Sequence, residues 1–192
     1  MKSQAGYPSE QADENQLLQQ AQEGDAEAFG VLYARYLDPI YRYVYYRVES
    51  AETAEDLTEE VFVRAWEALP GYEIRKYPFK SWLYRIAHNR VIDHRRKRRP
   101  AAIDDEVLQR IPGASTPPEQ LVVDGQNAEA LQEAVQQLAE EEQQVVILRF
   151  VEGLSHREVA EIIGKSEEAS RVIQYRAIQR LQRVLSDRGR SQ

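Results

Sequence analysis

Ten lysines and arginines lie between Arg75 and Pro100 (75, 76, 80, 85, 90, 95, 96, 97, 98 and 99) against one acid, Asp93. The segment therefore carries +9 in a chain whose formal charge is −7. Guanidinium and ammonium groups at that density neutralise phosphate oxygens, so this stretch is built to meet a polyanion. A second basic segment, residues 154–192, carries +3. Its Arg171, Gln174, Tyr175 and Arg176 are of the types that reach phosphates and base edges. Outside these, residues 1–74 carry −10 and residues 101–153, between the two, carry −9. Acidic segments repel DNA and are expected to face water or a protein.

Other chemistry is poorly provided for. There are no cysteines, which removes disulfides, thiolate metal sites and cysteine nucleophiles. The three histidines, His88, His94 and His156, are scattered, and no HExxH, paired-carboxylate, phosphate-loop or dinucleotide pattern accompanies them. Neither an enzyme activity nor a metal or cofactor is expected. No apolar run approaches the roughly 18–20 residues that span a bilayer. The polar start, MKSQAGYPSEQADENQ, does not read as a signal peptide, so a soluble cytoplasmic protein is expected, with no membrane insertion.

The elements that must carry these residues read as helices. A helix is expected from about Asn15 to Glu23, closed by Gly24 in a left-handed cap. Asp25 caps the next, with Phe29, Leu32, Tyr33 and Tyr36 on one face. Pro39 suits the first turn of a further helix carrying Ile40, Tyr41, Val44, Tyr45 and Val48. Another runs from Thr53 to Leu69, with Leu57, Val61, Phe62, Ala65 and Trp66 inward, and stops at Pro70-Gly71. In the basic segment Phe79, Trp82, Leu83, Ile86, Ala87 and Ile92 recur at helical spacing. That pattern assigns Trp82 to a core rather than to a stacking platform. No stretch alternates at period two, so no sheet is expected.

Periodicity lapses after Ala101, and IPGASTPPE reads as a linker. Helix resumes through Ala130, Leu131, Val135 and Leu138, then Val145, Val146, Leu148 and Phe150. The layout is all-α: a tail over 1–14, a helical domain over 15–100, a flexible linker over 101–127, a second helical domain over 128–186 and a tail over 187–192.

The second domain carries the pattern of a helix-turn-helix. Ser155 and Glu158 form a capping box, Val159, Ile162 and Ile163 face inward, and Ala160 allows close approach. Gly164 supplies the left-handed turn, and Ser166 caps a second helix with Ile173, Ala177, Leu181 and Leu185 inward. Glu167 and Glu168 suit the start of that helix. Lys165 and Ser170 stand where apolar residues are usual in such motifs.

Taken together, the segments GDAEAFGVLYARY, AEDLTEEVFVRAW, FKSWLYRIAHNRVIDHRRKRR and LRFVEGLSHREVAEIIG resemble the sigma-70 family of RNA polymerase sigma factors, in its two-domain, extracytoplasmic-function type. The resemblance implies promoter-specific initiation together with core polymerase. It implies docking of AEDLTEEVFVRAW on the β′ clamp helices through Asp56, Glu59, Glu60 and Arg64, and a second contact with the β flap. It assigns recognition of the melted −10 element to Tyr72, Lys80, Arg85, Asn89 and Arg90, with Arg95, Arg96, Arg98 and Arg99 gripping phosphate. Asn89 leads that set, since its amide both donates and accepts as a base edge requires. Reading of −35 duplex falls to Ser166, Glu167, Arg171, Gln174, Tyr175 and Arg176. An anti-sigma factor is a further implied partner. The competing reading is a helix-turn-helix regulator that acts without being a polymerase subunit.

Overall fold

The computed structural model describes residues 8–74, 76–98 and 125–189, and among these every regular element is helical. Helix α1 (Pro8–Gln22) ends at Gly24, whose φ of +97° lies in the left-handed region. It starts earlier than the expected Asn15. Glu14, which the sequence leaves in the tail, is buried and accepts a hydrogen bond from the Tyr36 hydroxyl at 2.5 Å.

Helix α2 (Ala26–Tyr45) is capped by the Asp25 carboxylate, which accepts from the Glu27 and Ala28 amides at 2.9 and 3.1 Å. The expected break at Pro39 does not occur, and the proline sits inside α2. Leu32 and Tyr36 before it and Ile40, Tyr43 and Val44 after it form one continuous buried face. Burying that face outweighs the roughly 3 kcal/mol that an interior proline costs.

Helix α3 (Ala51–Ala68) begins at Ser50, whose hydroxyl accepts from the Thr53 amide, and passes into a short 3-10 turn at Leu69–Gly71. Helix α4 (Phe79–Arg98) buries Phe79, Leu83, Tyr84, Ala87 and Val91 against α2 and α3. Trp82 packs between Tyr72 and Phe79 as expected, with ring centroids 4.9 and 5.6 Å apart. Trp66, by contrast, is not fully inward: it is exposed at the α3 surface, with its ring tilted against Phe29.

The second unit comprises α5 (Gly125–Gln136), α6 (Glu140–Val146), a π-helical turn over Ile147–Val151, α7 (His156–Ile163) and α8 (Glu167–Gly189). Residues 125–127 of the expected linker belong to α5, and the rest of it lies outside the described residues. Gly164 adopts φ +69° between α7 and α8, the turn that a helix-turn-helix requires. Leu185 falls where side chains are not described. The two units lie against each other, α4 on α7 and α2 on the Ile147–Val151 turn.

Candidate nucleic-acid interface

The two departures from the usual helix-turn-helix pattern are accommodated locally. Ser170 is fully buried, and its hydroxyl lies 3.0 Å from His156 Nδ1, so the polar side chain is satisfied where an aliphatic would normally pack. Burial, reinforced by the Arg149 and Arg171 guanidiniums, pushes the His156 pKa down. Lys165 pairs with Glu141 of α6 at 2.9 Å. The turn is thus held by one hydrogen bond and one ion pair that hydrophobic periodicity does not reveal.

Ser166 accepts from the Ala169 amide at 3.1 Å, which makes it a helix cap, and Glu167 pairs with Arg171 at 3.1 Å. Arg171, Tyr175 and Arg176 stand exposed on the outer face of α8. Gln174 is half-buried and accepts from Arg149 Nε at 3.1 Å. Arg149, absent from the expected set, joins Arg171 beside this face. Burial lowers its pKa, and Arg171 adds to that effect.

Along α4 the expected residues separate. Asn89 is exposed, and its amide has no partner among the described residues. Four residues earlier on the same face, the Arg85 guanidinium lies 5.2 Å from the Tyr77 ring centroid. Tyr72 is buried, and its hydroxyl donates to the Tyr77 carbonyl at 2.5 Å, so it braces the loop that presents Tyr77. Burial, with Glu14 nearby, pushes its pKa up to about 12. Arg90 is only 19% exposed and turns to α3, where it pairs with Glu60. Arg95 donates to the Arg47 carbonyl and to Gln143 Oε1, which makes it a clamp within the fold. Arg96, Lys97 and Arg98 remain exposed at the helix end, with Arg96 beside Asp93 and Arg98 beside Glu49. Arg99 lies outside the described residues.

The expected docking residues converge. Asp56, Glu59, Glu60, Arg64 and Glu67 line one open groove on α3 together with Val63 and Arg90. Val63 and Trp66 add exposed apolar surface on the same helix. An acidic groove with apolar neighbours suits a helix that carries both arginines and aliphatics.

His88 of α4 sits between the two units, with Nδ1 accepting from Arg47 Nη1 at 3.1 Å and from Gln144 Nε2 of α6. Its Nε2 lies 3.3 Å from Glu140 Oε1. Burial, then the Arg47 and Arg95 guanidiniums, lowers its pKa from 6.5 to about 4, so the ring is neutral and donates to Glu140 from Nε2. A folded state that resists protonation is fully stable above pH 6.5 and loses stability as pH falls from there towards 4. The loss reaches at most about 3 kcal/mol. His88→Gln is expected to flatten the fall in thermal midpoint between pH 6.5 and 5, a window above most carboxylate titration. An unchanged slope in the variant would assign that acid sensitivity to other groups.

No group of three or more His, Cys, Asp or Glu positioned for a metal occurs among the described residues, and no described helix is long and apolar enough to cross a membrane.

Comparison with known proteins adds to this geometry. A family model described as Sigma-70 region 2 matches residues 32–101, and one described as Sigma-70, region 4 matches residues 128–181. ECF RNA polymerase sigma factor BldN of Streptomyces coelicolor is 39% identical over 189 residues, covering 95% of this chain and 69% of that protein. ECF RNA polymerase sigma factor SigD of Mycobacterium tuberculosis is 34% identical over 170 residues, 86% of this chain and 80% of its own. A solved structure of CnrH in complex with the cytosolic domain of CnrY shares the fold with a TM-score of 0.71 at 24% identity, covering 91% of this chain and 98% of that one.

Proposed function

Because the chain belongs to the sigma-70 family, in its extracytoplasmic-function branch, we propose that its own residues divide the task of initiation among three surfaces. The chain is an alternative sigma factor: it binds core RNA polymerase and directs it to promoters through −35 duplex and melted −10 DNA. Catalysis belongs to the polymerase, and the chain contributes binding and discrimination in the cytoplasm.

The first surface is the α3 groove, where Asp56, Glu59, Glu60 and Arg64 meet the polymerase clamp helices. The second is the α4 face, where Asn89 reads an extruded base. Tyr77 and Arg85 flank it, one offering a ring for stacking and the other a guanidinium for phosphate. Arg96, Lys97 and Arg98 add charge that raises affinity without choosing sequence. Tyr72, Arg90 and Arg95, which the resemblance places among the DNA contacts, serve instead to position the loop and the helix. The third surface is the outer face of α8, with Arg171, Gln174, Tyr175 and Arg176 over the duplex. Ser166 and Glu167 shape the start of that helix. The region-4 unit also meets the β flap. An anti-sigma factor is a further partner that the family resemblance implies.

The observation that carries this reading is the exposed, unpartnered Asn89 amide beside Arg85 and Tyr77. Asn89→Ala is expected to lower discrimination between the preferred −10 base and its alternatives by roughly 5- to 150-fold, the ~1–3 kcal/mol of one base contact. Affinity for core polymerase should stay unchanged. Equal transcription from promoters differing at that base, in wild type and variant alike, would remove Asn89 from the reading set.

A further inference from the structure

The loop that presents Tyr77 is held by helix α1, which carries none of the residues placed above on DNA or polymerase. Gln22, the last residue of α1, is half-buried and turns its amide to the 3-10 turn that opens this loop. Its Nε2 donates to the Leu69 carbonyl at 2.9 Å and to the Tyr72 carbonyl at 2.7 Å, across 47 and 50 positions of chain. With two acceptors facing it, only the NH2 end of the amide fits, because its oxygen would meet two carbonyl oxygens. Glutamine suits this place: it is neutral and carries two N–H donors on one nitrogen.

The helix that carries this amide is itself fixed. Leu18 and Ala21 of α1 are 1% and 3% exposed, and Glu14 accepts the Tyr36 hydroxyl bond from α2. Just past Gln22 the chain turns at Gly24, where the Asp25 amide donates to the Gln20 carbonyl at 3.0 Å. Gln22 therefore extends from a packed and capped helix end rather than from a fraying one.

From Gln22 the contacts run on into the −10 face. Gln22 holds the Tyr72 backbone, and the Tyr72 ring packs on Phe79 and Trp82 of α4 with centroids 5.8 and 4.9 Å away. The Tyr72 hydroxyl then donates to the Tyr77 carbonyl at 2.5 Å. Within the loop the Lys76 amide donates to the Glu73 carbonyl at 3.2 Å, and the two side chains pair at 3.0 Å. That ion pair is exposed at both ends and contributes little. Tyr77 is 48% exposed, so its ring is placed by the backbone beneath it and by the Arg85 guanidinium. Removing the Gln22 donors withdraws a hydrogen bond from two carbonyls at the base of the loop.

We propose that Gln22 is a positioning residue for −10 recognition: it fixes the loop so that Tyr77 stacks on the extruded base and keeps that base against Asn89. Helix α1 thus takes part in promoter choice without touching DNA. The role in promoter choice rests on the α4 reading proposed above, whereas the hold on the loop rests on the contacts alone.

The test uses Gln22→Met, which keeps the length of the side chain and removes both donors. Holoenzyme is formed from core polymerase and the full chain, well below the thermal midpoint of the variant. Run-off transcription is compared on a promoter found by transcript mapping and on the same promoter with its extruded −10 base changed. If the presenting conformation of the loop falls to about one-tenth, the preferred promoter opens about tenfold less readily and the ratio between the templates narrows by about tenfold. Affinity for core polymerase should stay at the wild-type value. In a Tyr77→Ala background, where the ring is already gone, Gln22→Met should narrow the ratio no further. Limited trypsin digestion reads the loop without DNA: cleavage after exposed Lys76 should be severalfold faster in the methionine variant.

A wild-type promoter ratio in Gln22→Met, where Asn89→Ala narrows it, would overturn the role of Gln22 alone. So would a narrowing that persists in full in the Tyr77→Ala background, or a loss of core binding that matches the loss of transcription. An unchanged ratio in Asn89→Ala as well would overturn the α4 reading, and the role of Gln22 with it. Trypsin cleavage at the wild-type rate would overturn the hold on the loop.

Discussion

Reversing the charge at Asp56 and Glu59 is expected to reduce promoter-specific transcription by about 100-fold or more, with little change in thermal stability. Both side chains are exposed on α3 and line the groove, and neither makes an ion pair among the described residues. Lysine at both positions therefore breaks nothing inside the chain. Against a basic partner helix it replaces attraction with repulsion in a contact that becomes desolvated, where losing one charged partner alone costs ~2–5 kcal/mol. Glu60 is a poorer site for this experiment because it holds Arg90. The readouts are run-off transcripts and direct binding to core polymerase. Both should fall together while circular dichroism stays helical. Full activity in the Asp56→Lys/Glu59→Lys variant would place the docking surface elsewhere.

The second large effect is structural. Phe79 opens α4, is 2% exposed, and meets the rings of Tyr36, Tyr72 and Trp82 at 5.4, 5.8 and 5.6 Å. Phe79→Ala leaves a cavity at the point where α2, α4 and the Tyr72–Tyr77 loop meet, with an expected cost of ~3–5 kcal/mol. The thermal midpoint should fall by more than about 10 °C. Phe79→Leu keeps most of the volume and should cost less than ~1.5 kcal/mol. Tyr72 carries the loop through its bond to the Tyr77 carbonyl, so the alanine variant should also lose −10 discrimination below its midpoint. Equal midpoints for the leucine and alanine variants would show that this aromatic cluster does not support the loop.

Local signals were legible in the sequence wherever one residue acts on its own neighbours. Asp25, Ser155 and Ser166 cap helices because their side-chain oxygens reach amides two or three residues on, and Gly24 and Gly164 turn because they lack a Cβ. The stripe of α4 was readable in part: Phe79, Leu83 and Ala87 are buried as their spacing indicates, whereas Tyr84 and Val91 join them and Ile92 is only half-buried. Pro39 misled because its local rule yields to a buried face that extends on both sides of it. Trp66 was read as inward because periodicity marks a direction without marking where the neighbouring helix ends.

The site divided in the same way. Exposure of Asn89, Arg171, Tyr175 and Arg176 follows from their helical positions. The diversion of Arg90 to Glu60 and of Arg95 to Arg47 depends on partners 30 and 48 residues away, which no local pattern contains. Ser170 and His156 are 14 residues apart and read as a flaw in the motif and an isolated histidine. Folded, they satisfy each other. The contacts of Glu152, Gln132 and Gln144 with the first unit reach across 68 to 110 positions and were invisible for the same reason.

Transcript mapping measures most directly whether this chain directs core polymerase to promoters. Core RNA polymerase from the source organism is incubated with its genomic DNA, with and without the chain, and the 5′ ends are sequenced. New starts should appear only with the chain, share sequence elements about 10 and 35 base pairs upstream, and vanish with Asp56→Lys/Glu59→Lys. No new starts, combined with tight binding of the chain alone to a duplex operator, would contradict the account and identify a regulator that works without joining the polymerase.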